Sequence, residues 1–366
     1  MAGTDLYVKY SGKSNNFNTI QEAVNKAASL NLTSESQRVT IHIAPGKYRE
    51  QVIVQAPYIT FINDEPSTGD VTITWYYGIG YKYYSANFKG YYDSNLAAKK
   101  SSKNIASKWG ATVQLWPKAT YFKVKYIIFE NSFNRYMTSE EIKDGEELWG
   151  DTSASSITVV RTSSLDVNTR AATERAAAMT AEAAYVEFYG CKFLSSQDTL
   201  YTGGSPQYYR KCKIEGQTDY IFGQNNAVFD FCELMWKGYN GITAARSPDS
   251  SYTGYLFNKC KINGNTKLTV KPGYLGRPWA NTAKVMFINT TLKDGTMIHS
   301  DGWYEMSGVK PETVSGFKDN RTILKSGETV DLSQRKGIKL SANDANSINK
   351  KNYMNNWTPT YYNLSE

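Results

Sequence analysis

Two aspartates in this chain stand where carboxylate chemistry can be done. Asp198 lies in Gln197-Asp198-Thr199-Leu200-Tyr201 and Asp219 in Asp219-Tyr220-Ile221-Phe222-Gly223. They are 21 residues apart, and so are the cysteines that precede them, Cys191 and Cys212. Two landmarks repeating in one phase, with a period in the twenties, mark a solenoid. Equivalent positions on successive coils stack at the interstrand spacing of about 4.8 Å, which sets the two carboxylates side by side. Such a pair cannot ionise alike. One member is driven up in pKa and can act as an acid, and the other stays charged if a cation supports it. The candidate cation is Arg277 in Leu275-Gly276-Arg277-Pro278-Trp279, where Pro278 restricts its backbone. A guanidinium held there would orient a carboxylate through a forked hydrogen bond. Gln197 carries an amide that could donate to a developing oxyanion. Nucleophile, acid/base, oxyanion donor and orienting arginine are the parts of an acyl transfer. The competing reading is that each aspartate merely caps a turn.

Other chemistries find less support. The only histidines are His42 and His299, and neither neighbours a serine on a sharp turn, which argues against a Ser-His-Asp triad. His42 sits mid-strand among apolar neighbours and reads as structural. No glycine-rich phosphate loop is present. The four cysteines, at 191, 212, 232 and 260, form no Cys-x-x-Cys pair, so a zinc site of the Cys/His type is not expected. A net charge of +8 suits a polyanionic partner. No nucleic-acid-binding motif accompanies it, and an acidic polysaccharide fits the charge equally well. The 28 tyrosines and 8 tryptophans suit half-buried strands, and equally a surface that stacks on sugar rings. No apolar run is long enough to span a membrane. The opening Met-Ala-Gly-Thr-Asp-Leu does not read as a signal peptide.

The elements that must position these groups follow from the repeat. Copies of an apolar strand plus turn recur around Cys191, Cys212, Cys232 and Cys260, with a fifth that has Thr290 at the cysteine position. Units that cannot close a core alone and must stack on their neighbours predict an all-β, right-handed parallel β-helix. The cysteines would form an inward column, either as buried free thiols or, for Cys191 and Cys212, as a disulfide in an oxidising compartment. Thr19 and Glu22 make a capping box ahead of Ile20, Ala23, Val24 and Ala27 on one helical face. That helix, within about 17–30, is expected to plug the open end of the solenoid. Residues 76–120, rich in Tyr, Lys, Ser and Gly, read as a loop insertion and a candidate cleft wall. Residues 133–154 read as a further loop and Ser155–Arg161 as a further strand. The alanine-rich 171–184 suits either a helix or tight coil positions. Beyond Gly308 the periodicity fades, and the tail 308–366 is expected to lie along the side of a single domain, 1–366.

Four stretches, in order, resemble the pectin methylesterases of carbohydrate esterase family 8: Gly46-x-Tyr48-x-Glu50, Gln197-Asp198-Thr199-Leu200-Tyr201, Asp219-Tyr220-Ile221-Phe222-Gly223 and Leu275-Gly276-Arg277-Pro278-Trp279. Gly302-Trp303 matches as well, and the resemblance covers roughly Asn18 to Met306. It implies a β-helix enzyme that hydrolyses the C6 methyl ester of galacturonate in homogalacturonan, releases methanol and needs no cofactor or metal. It further implies secretion, a monomer, and pectin as partner rather than nucleic acid or membrane. Carried over by motif, Asp219 would be the nucleophile, Asp198 the acid and then base, Gln197 the oxyanion donor and Arg277 the residue that holds Asp219. Tyr201, Phe222, Trp279, Trp303 and Met306 would line the sugar cleft. The chain departs from the pattern at Arg175, where many relatives carry a second glutamine. A cation there could stabilise an oxyanion or bind a neighbouring carboxylate. The rival functions are an esterase or thioesterase of altered substrate on the same scaffold, and a non-catalytic binder of acidic polysaccharide.

Overall fold

The structure, a computed structural model, describes residues 3–85, 93–99, 104–105, 108–145, 174–238, 240–264, 272–320 and 322–364. The expected strand 155–161 lies outside these, as do parts of the expected loop 133–154 and of the insertion.

Three parallel sheets wrap one core. They have 12, 7 and 9 strands; the central coils contribute to all three in turn, and the terminal ones to one or two. The repeat read from the cysteines is the true coil period. Val186–Tyr189 pairs in register with Gln207–Arg210, which pairs with Ala227–Asp230, then with Tyr255–Asn258 and Lys284–Ile288. In-register stacking turns one sequence position into a column. Phe188, Tyr209, Phe229, Phe257 and Phe287 form a nearly parallel ring stack through the core, with successive centroids 4.9, 4.7, 4.5 and 4.3 Å apart. Each offset stack adds about 0.5–1.5 kcal/mol beyond the burial of its area.

The cysteine column lies inside, as expected, with Thr290 buried in line with it. The possible Cys191–Cys212 bridge is not formed: all four cysteines are buried free thiols. Each of the last three leans on a carbonyl of the preceding coil, Cys212 Sγ on Phe188 O (3.6 Å), Cys232 Sγ on Tyr209 O (3.4 Å) and Cys260 Sγ on Phe229 O (3.3 Å). A thiol in such a ladder has a weak acceptor and apolar neighbours, the setting in which cysteine behaves as a small hydrophobe.

The N-terminal helix Ile20–Ala28 forms where the capping box predicts, with the Thr19 hydroxyl accepting from the Glu22 amide (3.1 Å). Ile20, Ala23, Val24 and Ala27 are buried in the main core cluster. The helix start is also held by Glu50, whose carboxylate accepts from the Ile20 and Gln21 amides (2.9 and 3.1 Å). A carboxylate at a helix N-terminus meets both unpaired donors and the positive end of the dipole. The glutamate of Gly46-x-Tyr48-x-Glu50 is therefore a structural latch for the cap.

The insertion ends earlier than expected. The solenoid resumes at Val113–Leu115, which pairs with Val52–Val54 on one side and Met179–Ala181 on the other. Ahead of it, Trp75, Tyr76, Tyr77, Tyr81 and Tyr83 pack with Phe133 into a separate buried aromatic knob. Asp144, at the end of the short helix Ser139–Asp144, ties the knob down by accepting from Tyr76 Oη (2.6 Å), the Tyr84 amide (2.8 Å) and Ser85 Oγ (2.6 Å). In the alanine-rich stretch, Ala176, Ala177, Ala178, Ala181 and Ala183 are fully buried coil and strand positions rather than a helix. Ala176 packs in the knob, and Ala178, Ala181 and Ala183 pack in the main core.

Beyond Gly308, Gly316–Asp319 and Ile323–Leu324 still add strands to the first and third sheets. The last residues then turn back along the 12-stranded sheet, where Ala345, Met354 and Tyr361 pack on Tyr208, Val228, Leu256 and Met286.

Candidate active site

The seven-stranded sheet carries the site. Its register aligns Thr180, Tyr201, Phe222, Ala244 and Arg277 in one column across five strands. Three residues before Tyr201 and Phe222 come Asp198 and Asp219, each entering its strand from a turn. Arg175 bridges to Gln197 and Gln197 to Thr218 in the same parallel register, which makes Asp198 and Asp219 neighbours on successive coils. The Asp198 amide donates to Thr218 O (3.2 Å) and the Asp219 amide to Gly241 O (2.8 Å), so the backbone beneath both is fixed coil to coil. Both residues take left-handed backbone angles, φ 60° and 48°. Aspartate tolerates that region better than most residues, and two such outliers stacked at one turn mark a geometry the rest of the fold imposes.

Arg277 does what its motif suggests. Its Nε donates to Asp219 Oδ1 (2.9 Å) and Oδ2 (3.1 Å), and Nη2 donates to Oδ2 as well. Gly276 makes this approach possible, because a Cβ there would collide with Thr243 Oγ1. Pro278 closes the last strand of the sheet, an edge position where a missing N–H leaves no ladder bond unmade.

The two carboxyls are unequal, as the spacing demands. Both are buried. Burial, then the charge of Asp219, pushes Asp198 well above the usual carboxylate range, with Arg175 and Arg277 pulling the other way. Burial also raises Asp219, but the hydrogen bonds and charge of Arg277 oppose it directly. The site therefore pairs one carboxyl pushed strongly toward its protonated form with one whose charge a forked guanidinium supports.

Around them lies an aromatic surface. Tyr201 and Phe222 cluster with Ala244 (rings 5.2 Å apart), and Trp279 lies 6.2 Å from Phe222 and is 36% exposed. Trp303 is not part of it. Its side chain is 0% exposed and stacks on Phe317 in the core (4.4 Å). The reason is strand alternation: Trp303 bridges Gly276, so it shares that residue's inward side. The next residue, Tyr304, takes the outward side with Arg277 and sets its ring 5.3 Å from the guanidinium. Tyr304 follows the matched Gly302-Trp303 pair and was not among the expected cleft residues; alternation from Trp303 was the available signal. Met306 is half-buried in a turn-back to Val309.

The insertion supplies a second residue that the motifs did not. Trp109 stacks on Tyr201 (4.3 Å, 22°) and meets Phe222 edge-on (5.3 Å). Lys108, Trp109 and Gly110 are all left-handed (φ 52°, 55° and 68°), an uncommon run that costs about 1–2 kcal/mol per non-glycine residue. Gly110 is required, since a Cβ there would strike Tyr77 O. The aromatic knob thus holds a strained turn that presents Trp109 to the cleft.

The pectinesterase family model matches residues 152–357, more than half of the chain. The chain belongs to the pectinesterase family. Curated relatives include a probable pectinesterase A of Neosartorya fischeri, 43% identical over 141 residues, covering 37% of this chain and 43% of that protein. Pectinesterase QRT1 of Arabidopsis thaliana is 28% identical over 290 residues, covering 78% of this chain and 60% of that one. The matched region thus spans less than two thirds of either relative. Among solved structures, the pectin methylesterase of Aspergillus niger shares the fold with a TM-score of 0.65 at 24% identity, over 98% of this chain and 97% of that one. The pectin methylesterase PemA of Erwinia chrysanthemi does so with 0.65 at 18% identity, over 98% and 99%. The fold of this pectinesterase-family chain is the parallel β-helix expected from its repeat.

Proposed function

We propose that this pectinesterase-family protein hydrolyses methyl esters of galacturonate in pectin. The observation that carries the reading is the stacked Asp198–Asp219 pair, with the Asp198 carboxyl pushed toward its protonated form and Asp219 gripped by Arg277. Asp219 attacks the ester carbonyl carbon. The carbon–methoxy bond breaks, and the departing oxygen takes the Asp198 proton and leaves as methanol. The acid anhydride formed on Asp219 is then opened by water, whose proton returns to Asp198. Gln197, next to Asp198 and bridged to Arg175 and Thr218, would supply the amide for the oxyanion. Such a site serves a polymer of the cell wall, so we place the protein outside the cell. Pure binding of a polyanion gains nothing from two buried carboxyls, so their presence favours catalysis. The test is methanol release from highly methylated pectin by the native protein; binding without release would sink the esterase reading.

Two variants probe the surroundings. Trp109→Ala removes one stacking face and is expected to raise KM for pectin about tenfold with kcat little changed, one aromatic stack being worth roughly 1 kcal/mol or slightly more. An unchanged KM would remove Trp109 from the cleft. The pH profile should be bell-shaped: the acid limb falls as Asp219 gains a proton, and the alkaline limb falls as Asp198 loses its own. Arg175 holds the Asp198 pKa down, so Arg175→Ala should move the alkaline limb to higher pH. A shift to lower pH, or none, would contradict that role.

A further inference from the structure

We propose that the outer face of the nine-stranded sheet carries a second polyuronate-binding site, remote from the catalytic face. It is a lysine groove that holds de-esterified stretches of pectin while another stretch of the same polymer occupies the Asp198–Asp219 centre. The proposal rests on the esterase reading for its substrate class, but not for its observations. The groove, of about 350 Å³, is lined by Lys261, Lys293 and Lys325 together with Asn263, Thr291 and Met235. It lies at one end of the sheet, over the strands Lys261–Gly264, Thr291–Leu292 and Ile323–Leu324. The catalytic pair belongs to a different wall of the solenoid, the seven-stranded sheet.

Stacking in register builds the groove. Ile262 pairs with Leu292 and Leu292 with Leu324, so the residues that follow, Asn263, Lys293 and Lys325, form a column. Its members are one coil apart, a step of about 4.8 Å. The Lys293 amide donates to Ile262 O (3.0 Å) and the Lys325 amide to Leu292 O (2.8 Å), which fixes the backbone of the column. Lys261 heads a second column with Thr291 and Ile323, two positions earlier and on the same side of the strands. Between the columns Ile262 and Leu292 are buried in the main core, so the residues on either side of them face out. All three lysines are exposed.

The charge of the groove is unbalanced. None of the three ammonium groups forms an ion pair with a described carboxylate. The carboxylates on the same elements are engaged elsewhere. Glu233, across the strand from Lys261, accepts from Asn263 Nδ2 (2.5 Å). Asp294 accepts from the Thr296 amide (2.8 Å) and hydroxyl (2.9 Å), and Glu328 from Ser326 Oγ (3.3 Å). Like charges gathered on one face attract a polyanion, and the net charge of +8 has the same sign. A lysine is a hydrated point charge that demands no fixed fork, which suits a polymer with one carboxylate per sugar. The lining has no aromatic ring on which a nucleic-acid base could stack, while Asn263 and Thr291 offer an amide and a hydroxyl to sugar hydroxyls. Methylated units carry no charge, so the groove takes the product of earlier turnovers. Holding one stretch of a chain makes the encounter of the next stretch with the catalytic face intramolecular.

Long, fully de-esterified polygalacturonate, titrated calorimetrically into the full chain, tests the groove without any turnover. Lys261→Gln, Lys293→Gln and Lys325→Gln combined are expected to weaken binding about tenfold at low salt, with the difference fading as salt is raised. Equal affinity of the triple variant and native protein overturns the proposal. So does duplex DNA that competes for the groove as well as polygalacturonate does at equal charge, since the attraction is then general to polyanions. In a second measurement, the triple variant should show a KM about fivefold higher on long, half-methylated pectin with kcat unchanged. On a methylated trisaccharide, too short to reach both faces, its KM should equal the native one; the same rise on the trisaccharide would place the effect in the cleft and overturn the proposal. If native protein releases no methanol yet the triple variant still loses polygalacturonate binding, the esterase reading falls and the groove stands.

Discussion

Asp219→Asn is expected to lower kcat on methylated pectin by about 10⁴-fold or more, the scale of loss when one member of a nucleophilic catalytic unit is removed and the rest is left in place. The loss should be in turnover, not folding. Burial already raises the pKa of Asp219 against the pull of Arg277, so its ionised form is held in the fold at a net penalty. Asparagine keeps the shape and removes the charge. Arg277, left without its anion, is partly exposed (21% of its side chain) and remains over the Tyr304 ring. The thermal midpoint should therefore move little. Methanol release and a melting curve on the same preparation decide it: a folded variant retaining a tenth of native activity would exclude Asp219 as nucleophile.

Arg277→Ala should be inactive too, but for a different reason, and it should be unstable. The Asp219 side chain is only 6% exposed and would be left as a buried carboxylate with its cation gone. Breaking one side of such a pair costs about 3–5 kcal/mol. The deficit should be greatest at neutral pH and shrink as pH falls, because protonation of Asp219 removes the stranded charge; its folded pKa is raised, so this begins above the range of an ordinary aspartate. Arg277→Ala combined with Asp219→Asn should recover most of the stability and none of the activity. Urea unfolding of both variants at two pH values measures this. Equal instability of the single and double variants would show that Arg277 acts on packing and not through Asp219.

The parts of the site that were legible in advance are those that repeat or that need a special backbone. The 21-residue phase shared by the cysteines and aspartates carries register directly, because in a parallel in-register stack the sequence period is the spatial neighbour relation. Pro278 was legible as a restraint on the Arg277 backbone, whereas its place in the edge strand and the close approach to Thr243 that Gly276 permits emerge only from the fold. The cap helix announces itself through Thr19, Glu22 and an apolar face that must be covered by the solenoid core.

What resisted sequence reading had no period to follow. The insertion is rich in aromatics, and nothing in their order says which of them reaches the cleft. Packing decides it: Tyr76, Tyr77 and Tyr83 stay inside the knob against Phe133, and Asp144 ties Tyr76 there. Trp109 is the described insertion aromatic that meets the Tyr201–Phe222 surface. The exchange of Trp303 for Tyr304 is a matter of one residue. The motif names Trp303, and only its pairing with Gly276 says that it takes the inward side and the next residue, Tyr304, the outward one. The cysteine column was visible as a column, while its redox state was not. A stacked pair lies within reach of a bridge and of a carbonyl alike, and the fold chose the carbonyls.

By itself, then, the sequence determined the solenoid, the phase of its coils and the adjacency of Asp198 and Asp219, since each depends on spacing along the chain; the arrival of Arg277 at Asp219, 58 residues on, came from the motif it shares with a known family. Tertiary structure alone decided which aromatic faces the cleft and how burial and neighbouring charges displace each carboxyl from its ordinary range. Those properties depend on burial and on the charges of other coils, and neither is encoded at any single position.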